Sequence, residues 1–360
     1  MTRVLQVMGR SAGGIARHVA QVTAALDGTD GLTIDIACPA DLPLAMPKQA
    51  IRVEIPDGPA GGHGRVVKQL RRLSANYDVV HAHGLRAGID AGMAARNGRA
   101  RSLVTVHNLV RAEISGELRA ALYRRAEAVA VRLNDHTFAV SQDIARHLRR
   151  SIAARAESIE VLYLGIGDAP VVERDPVEVR AELGLAPEAP LVVSVARLAP
   201  QKSLGVLLRA IDRLDGNVSL AIVGEGPLRS DLERDVGDLS LGRRVHLLGF
   251  RRDVADWIAA ADVFALSSIW EGVPLAAQEA ILLGTPIVAT DVGGMRELIA
   301  NKVSGRLCPP GDPEAIAAAL EEVLTDRERA VTYATAAAAS LRTRFSTEAM
   351  LRRLREAYGA

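Results

Sequence analysis

The chain has 360 residues, of which 49% are apolar, so it is long enough for two compact domains and too apolar for a disordered protein. Its 44 basic and 43 acidic residues leave a formal charge of +1, and no overall field favours binding to nucleic acid. The two cysteines, Cys38 and Cys308, are too few for a disulfide framework or a four-thiolate zinc site.

The apolar runs of the sequence are all short. The run at 3–9 is too short for a signal peptide, and no run reaches the roughly 18 apolar residues that a membrane span needs. A pair of cysteines also suits a reducing compartment. These features predict a cytoplasmic protein, either soluble or peripheral at the inner face of the membrane.

Apolar runs that end in small or polar residues alternate with longer segments of helical period, and this alternation occurs twice along the chain. In the first half, the predicted strands lie at 3–8, 33–38, 51–55, 79–83, 102–106, 136–140 and 159–164. In the second half, they lie at 191–196, 220–224, 245–249, 263–266 and 286–290. Such alternation is typical of βαβ units, so the predicted fold class is α/β, with two Rossmann-like, doubly wound domains.

The least regular stretch, at 165–175, contains two glycines, a proline and mixed charge, and it predicts the connection between the domains. An N-terminal domain is therefore predicted at 1–167 and a C-terminal domain at 168–342. The tail at 328–358 predicts two helices, and residues 343–360 are expected to pack back towards the N-terminal domain. Ligands of such sheets bind beyond the carboxyl ends of the strands, so we expect a site in a cleft between the domains.

The segment 267–286 begins at a predicted strand end and contains two glutamates. Pro274 suits the first turn of a helix, which puts Glu271 in the preceding loop and Glu279 in the second turn, and Gly284 is expected to end the helix. Because the residues around Glu279 are almost all apolar, this carboxylate is expected to be costly to desolvate unless a hydroxyl-rich ligand binds it. An isolated helical glutamate needs no such explanation, since Glu is a good helix former.

The two glutamates lie within Glu-Gly-Val-Pro-Leu and Glu-Ala, followed by Gly-Thr-Pro-Ile-Val-Ala-Thr, and this pattern resembles the signature of retaining glycosyltransferase family 4. Further segments that resemble the family occur in the family's order, at 13–19, 81–83, 105–108, 194–198 with Lys202, 223–228, 291–294 and 309–312. The resemblance covers nearly the whole chain. It implies the GT-B architecture, in which two Rossmann-like domains face each other across a cleft, and transfer of a sugar from a nucleoside-diphosphate donor.

Arg197 and Lys202 follow the first strand of the second half, and the resemblance implies that they hold the donor's pyrophosphate and stabilise its developing charge. Glu271 is implied to bind hydroxyls of the transferred sugar, and Glu279 the donor ribose. The resemblance also places three neighbouring residues in the donor site: Gly272, Val273 and Leu275.

Gly13 and Gly14 lie between the first strand and a helix, where backbone N–H groups can approach a phosphate. The resemblance implies that this loop covers the donor diphosphate and the acceptor, with help from Arg17. The glycine spacing does not fit a dinucleotide fingerprint, and the sequence has no Gly-Lys-Ser/Thr phosphate loop, so dehydrogenase and ATPase functions lose support.

Histidines follow or occupy two strands of the first half. His107 ends the strand at 102–106, and the resemblance places it near the transferred sugar. His81 and His83 are predicted to face opposite sides of their strand, which argues against joint metal ligation.

The resemblance places the nucleotide base near Gly224, Phe250 and Arg251 without identifying the base. At the domain junction the chain departs from the family, since the segment 164–168 replaces the frequent Asn-Gly-Val-Asp. Hinge contacts inferred from that motif are therefore in doubt.

No metal and no other cofactor is expected, because the sequence lacks the Asp-x-Asp by which another class of sugar transferase holds a divalent ion. Arg197, Lys202 and helix N-termini are expected to neutralise the diphosphate. The basic stretch 65–73 has one apolar helical face and predicts either an ordinary surface helix, which we favour, or a contact with anionic lipid.

The predicted function is that of a retaining glycosyltransferase that moves a hexose or related sugar from a UDP- or GDP-linked donor. The acceptor is a hydroxyl-bearing molecule such as a glycolipid, a polysaccharide or a small molecule. Two alternatives stay open: a sugar-nucleotide epimerase of the same architecture, and an inactive subunit that binds nucleotide sugars.

Overall fold

The structure is a computed structural model that describes residues 1–10, 14–42, 49–58, 61–109 and 117–360. It divides into two compact units. Unit 1 comprises Met1–Gly165 together with Phe345–Ala360, and unit 2 comprises Ile166–Arg344.

The strands of unit 1 are β1 (Thr2–Met8), β2 (Leu32–Cys38), β3 (Ile51–Arg52), β4 (Val79–His83), β5 (Arg101–Val106), β6 (His136–Ala139) and β7 (Ile159–Val161). The strands of unit 2 are β8 (Leu191–Val195), β9 (Ser219–Val223), β10 (Val245–Gly249), β11 (Val263–Leu266), β12 (Ile287–Thr290) and β13 (Arg306–Cys308). Every strand predicted from the sequence is present, and β3 and β7 each end three residues earlier than predicted. The prediction missed β13, because its sequence has only two consecutive apolar residues, Leu307 and Cys308, before two prolines.

The helices of unit 1 are α1 (Gly14–Leu26), α2 (His63–Ser74), α3 (Leu85–Ala95), α4 (Glu117–Leu133), α5 (Gln142–Ser151) and, at the end of the chain, α14 (Thr347–Tyr358). The helices of unit 2 are α6 (Pro176–Ala181), α7 (Leu204–Asp212), α8 (Arg229–Asp238), α9 (Val254–Ala259), α10 (Leu275–Leu282), α11 (Met295–Leu298), α12 (Pro313–Thr325) and α13 (Arg327–Arg344). The two helices predicted for the tail are α13 of unit 2 and α14 of unit 1.

Each unit is built on one parallel sheet. In the described residues, the strand order is β3-β2-β1-β4-β5-β6-β7 in unit 1 and β10-β9-β8-β11-β12-β13 in unit 2. Helices cover both faces of each sheet, so the central strands consist mainly of buried apolar residues. In β1, for example, Val4, Leu5 and Val7 are all fully buried.

Side-chain caps start several helices where the sequence contains Ser or Asp. Ser141 Oγ accepts a hydrogen bond from the backbone N–H of Ile144 at the start of α5, and Asp312 Oδ1 accepts one from Ala315 at the start of α12. Such caps satisfy N–H groups that have no partner within the helix.

The last helix belongs to the core of unit 1. Met350, Leu354 and Ala357 of α14 are buried against Val4 and Phe138 of the sheet. Residues 345–360 therefore complete the hydrophobic core that the first part of the chain begins.

The basic stretch 65–73 forms part of α2. Val66, Val67 and Leu70 are buried in the core of unit 1, whereas Arg65 and Lys68 are exposed. The apolar face therefore packs against the protein, as the favoured prediction of a surface helix requires. Within the described part of the chain, no helix combines the length and the apolarity that crossing a bilayer demands.

Candidate active site

Three loops meet at the carboxyl edge of the unit 2 sheet. They follow β8, β11 and β12, which are neighbours in the sheet. The strand order changes direction between β8 and β11, since β9 and β10 lie on one side and β12 and β13 on the other. In doubly wound sheets, ligands bind at this kind of switch point.

The loop after β11 is held by the loop after β8. The backbone N–H of Ile269 donates to the Gln201 carbonyl at 2.8 Å, and Gln201 Nε2 donates to the Trp270 carbonyl at 2.7 Å. Ser267 Oγ donates to the carbonyl of Lys202 at 3.0 Å. These bonds fix the backbone on both sides of Lys202 relative to the residues that lead to Glu271.

The loop after β12 supports the same segment through two glycines. The N–H of Gly294 donates to the Glu271 carbonyl at 3.0 Å. A Cβ atom on Gly293 would lie 1.8 Å from that carbonyl oxygen, and one on Gly294 would lie 1.6 Å from the carbonyl oxygen of Gly272. Only glycine allows this approach, which explains the Gly-Gly pair of the 291–294 motif.

Glu271 and Lys202 form a buried ion pair. Glu271 Oε1 lies 2.6 Å from Lys202 Nζ and 2.5 Å from Ser268 Oγ, and only 5% of the Glu271 side chain and 18% of the Lys202 side chain are exposed. An ammonium has three donors and Glu271 takes one, so the pair can keep a charged donor directed at a ligand. The sequence predicted both residues as site residues but did not predict their contact.

Glu279 lies in a different environment from the one that we expected. It is only half-buried, while its neighbours Ala277, Gln278 and Ala280 are buried. The expectation that desolvation of Glu279 is costly was therefore wrong, because the face of α10 that Glu279 shares with apolar residues such as Leu275 and Leu282 is itself only half-buried. Glu271 is the buried carboxylate. The helix ends as predicted, with Gly284 in the left-handed region at φ +78°.

The remaining donor-site residues lie around these two glutamates. Arg197 is exposed just beyond the end of β8. Gly272 is buried, and Val273 and Leu275 are half-buried at the start of α10.

The residues predicted near the nucleotide base differ in character. Gly224, at φ +142°, donates its N–H to the Gly249 carbonyl at 2.8 Å, and a Cβ there would lie 2.0 Å from the Ala196 carbonyl oxygen. Phe250 follows β10 and is 75% exposed, so its ring is accessible to a planar ligand.

Arg251 is engaged with the protein. Its guanidinium lies 2.8 Å from Glu182 and 2.7 Å from Asp253, above the ring of Trp257. The Arg251 contact holds the pKa of Asp253 well below its usual range. Phe250 is therefore the better placed of these two residues to meet a base.

In unit 1, His81 and His83 lie on the same face of β4, and both are buried with ring centroids 4.4 Å apart. The prediction that they face opposite sides was wrong, because residues i and i+2 of a strand share a face. His107 lies beside them. Its Nε2 is 3.3 Å from His83 Nδ1, and burial lowers the pKa of both rings well below the usual value. Both imidazoles are therefore neutral at pH 7.

A cavity of about 240 Å³ within unit 1 is lined by His83 and His107 and also by Asn108 and Glu127. Glu127 is 1% exposed, and its Oε2 lies 2.8 Å from His147 Nε2. The sequence did not single out Glu127, because a glutamate in a helix carries no signal of its own.

The glycine segment is described only in part. Gly13 lies outside the described residues. Gly14 begins α1, and Arg17 is exposed on its first turn. In the described part of the chain, no three His, Cys, Asp or Glu side chains come together in a way that could hold a metal ion.

Two family models match the chain. The model described as Glycosyltransferase Family 4 matches residues 12–169, and the model described as Glycosyl transferases group 1 matches residues 177–340. The amylovoran biosynthesis glycosyltransferase AmsK of Erwinia amylovora is 32% identical over 223 residues, which cover 59% of this chain and 53% of that protein. The D-inositol 3-phosphate glycosyltransferase of Xylanimonas cellulosilytica is 29% identical over 369 residues, which cover 92% of this chain and 88% of that protein.

Among solved structures, Anabaena Alr3699/HepE in complex with UDP and glucose has a TM-score of 0.85 and 23% identity, and the match covers 100% of both chains. This likeness confirms the predicted α/β, GT-B fold class. Since the two family models together cover most of the chain and glycosyltransferases are similar to it along nearly its whole length, the chain belongs to the group 1 family of GT-B glycosyltransferases.

Proposed function

We propose that the protein is a retaining glycosyltransferase that moves a hexose or related sugar from a nucleoside-diphosphate sugar to a hydroxyl-bearing acceptor. The buried pair of Lys202 and Glu271 at the switch point of the unit 2 sheet carries the proposal. It combines a cation for a phosphate with a carboxylate for sugar hydroxyls in one rigid loop cluster.

In this proposal, Lys202 and Arg197 bind the donor diphosphate and stabilise the charge that grows on it as the glycosidic bond breaks. Glu271 accepts hydrogen bonds from the transferred sugar. Glu279 contacts the ribose, which its half-buried position supports, since a contact of this kind needs an accessible carboxylate.

The chemistry needs no nucleophile from the protein. The nucleoside diphosphate leaves an oxocarbenium-like sugar, the acceptor hydroxyl arrives on the same face, and the leaving phosphate takes its proton. Glu271 Oε1 already accepts from Lys202 and Ser268, and both contacts reduce its reactivity as a nucleophile. They support a role in binding rather than in covalent catalysis.

UDP-sugars are the first donors to test, because HepE was solved with UDP and glucose. GDP-sugars are the second. The exposed ring of Phe250 supports stacking on either base.

We also place the protein in the cytoplasm. Both cysteines are free and buried, and burial raises the pKa of the Cys308 thiol to about 11, which suits thiols that stay reduced. Cell fractionation tests this location, and recovery of the protein outside the cytoplasmic and membrane-associated fractions would contradict it.

Release of nucleoside diphosphate in the presence and absence of acceptors tests the proposed activity. A transferase releases it in an acceptor-dependent reaction, and NMR of the product shows the anomeric configuration of the donor. Release that is independent of acceptor and accompanied by sugar isomerisation would favour the epimerase. Binding of the donor without any turnover across a broad acceptor panel would favour the inactive subunit.

A further inference from the structure

A buried row of polar side chains connects Tyr358, on the last helix, to His107. Tyr358 is 2% exposed, and its hydroxyl oxygen lies 2.8 Å from Gln6 Nε2 and 2.8 Å from His81 Nδ1. The other end of the Gln6 side chain, Oε1, lies 2.5 Å from His83 Nε2. His83 in turn contacts His107. All of these side chains belong to unit 1.

With the Gln6 amide oriented as in the structure, the hydrogen-bonding capacity of each group determines where the protons are. Gln6 Nε2 can only donate, so the Tyr358 oxygen accepts there and gives its single proton to His81 Nδ1. His81 then carries its own proton on Nε2, which donates to Thr105 Oγ1 at 2.8 Å. Gln6 Oε1 can only accept, so the proton of His83 is on Nε2.

This arrangement determines the state of His107. Because burial keeps His83 neutral, its Nδ1 has no proton and must accept from its neighbour. His107 is also neutral, so its one proton lies on Nε2 and is donated to His83 over 3.3 Å. The Nδ1 atom of His107 is then an acceptor.

We propose that Tyr358 and Gln6 are positioning residues that hold His107 in the Nε2–H tautomer, so that its Nδ1 accepts a hydrogen bond from a hydroxyl group of the substrate. The role given to His107 rests on the proposed function, whereas the tautomer does not.

Coupling along the row explains why the hydroxyl of Tyr358 is needed. Rotation of the Gln6 amide would exchange its donor and its acceptor, and His83 and His107 would then have to move their protons to the opposite nitrogens. With the hydroxyl present, the same rotation also requires His81 and Thr105 to reverse their bond. Without the hydroxyl, the Gln6 amide can rotate while the hydrogen bond between His81 and Thr105 stays as it is.

Long-range ¹H–¹⁵N correlation spectra of the histidine rings test the proposal in the full-length protein. In the wild type, His107 should show a protonated Nε2 and a bare Nδ1. In Tyr358→Phe, its nitrogen shifts should move towards a mixture of tautomers, and kcat should fall roughly tenfold with little change in the KM for donor.

Tyr77→Phe is a matched control. Tyr77 is also buried in unit 1, and its hydroxyl donates to Asp35 at 2.9 Å, away from the histidines. This variant should lose comparable stability and keep the wild-type ring shifts and kcat.

A wild-type spectrum with the proton of His107 on Nδ1 would overturn the proposal even if Tyr358→Phe failed to fold. Unchanged His107 shifts in a folded Tyr358→Phe variant would overturn it as well. If the tautomer is as proposed but no sugar transfer is found, the proposed function fails and the tautomer assignment stands.

Discussion

Replacing Lys202 with alanine is expected to destabilise unit 2 as well as slow the reaction. Lys202 Nζ lies 2.6 Å from Glu271 Oε1, and only 5% of the Glu271 side chain is exposed. Alanine would leave this carboxylate without its cation, although Ser268 would still donate to it. Removing one partner of a buried ion pair destabilises a fold by about 3 kcal/mol at the low end of the usual range.

The change in Tm that corresponds to this loss of free energy depends on the size of unit 2, Ile166–Arg344. For domains of this size each kcal/mol lowers the Tm by about 2 to 4 °C, so the Tm of unit 2 should fall by roughly 6 to 12 °C. Turnover should fall by about a few hundred-fold, because the ammonium acts on charge that develops as the diphosphate leaves. Calorimetry and assays of nucleoside diphosphate release measure the two effects separately.

Two further variants separate the loss of stability, which the unpaired Glu271 carboxylate causes, from the loss of turnover. Lys202→Ala combined with Glu271→Gln removes the buried charge together with its partner, so the Tm should largely recover while turnover stays low. Arg197→Ala changes an exposed residue, so it should lower turnover without a large change in the Tm.

A wild-type Tm together with near-normal turnover in Lys202→Ala would refute both roles given to Lys202. A double variant that melts as low as Lys202→Ala would attribute the loss to packing of the lysine chain instead of to the unpaired carboxylate. Near-normal turnover in both Lys202→Ala and Arg197→Ala would remove the donor-site assignment.

Three other predictions follow from the site and from its surroundings. Glu271→Gln should mainly lower kcat, and Glu279→Gln should mainly raise the KM for donor. In calorimetric titrations with free nucleoside diphosphate, only the Glu279 variant should bind more weakly, by roughly 1 to 3 kcal/mol. Equal weakening in both would mean that the two roles are assigned wrongly. Activity should survive thorough chelation, and its abolition by chelator with rescue by magnesium or manganese would contradict a metal-free site. Hydrogen bonds from His63 to the Gly58 carbonyl and to Asp90 raise the pKa of this histidine above its usual 6.5. The stability that His63 contributes is therefore present below pH 6.5 and is lost as the pH rises through the higher pKa of the folded state. Melting curves of wild type and His63→Gln between pH 5 and pH 9 should converge at the alkaline end, and parallel curves would rule this contribution out.

Much of the fold could be predicted because it depends on local patterns. Runs such as 220–224 and 263–266 are short, apolar and bounded by polar residues, and all the predicted strands except β3 and β7 begin and end within one residue of the predicted positions. The strand at 306–308 was missed because only two consecutive apolar residues precede the prolines at 309–310, whereas the predicted runs at 51–55 and 159–164 are longer than the strands that they form. The site residues at strand ends could be named for the same reason, because the predicted end of a strand indicates which residues lie at the carboxyl edge of the sheet.

Contacts between distant parts of the chain could not be predicted. Lys202 and Glu271 are 69 residues apart, and Gln6 and Tyr358 are 352 apart, so no spacing or period relates them. Burial also depends on neighbours from elsewhere in the chain. Glu279 was expected to be costly to desolvate because apolar residues surround it in sequence, but the helix face that it shares with Leu275 and Leu282 is only half-buried.

The packing of α14 in unit 1 has a consequence for folding during synthesis. Unit 1 is made from two segments that unit 2 separates along the chain. Ribosomes add about 5 to 20 residues each second, so roughly 10 to 35 s pass between the appearance of the first segment and that of α14. During that interval the side chains of Val4 and Phe138 lack the helix that covers them. Unit 2 can thus complete its fold while the core of unit 1 still lacks a helix.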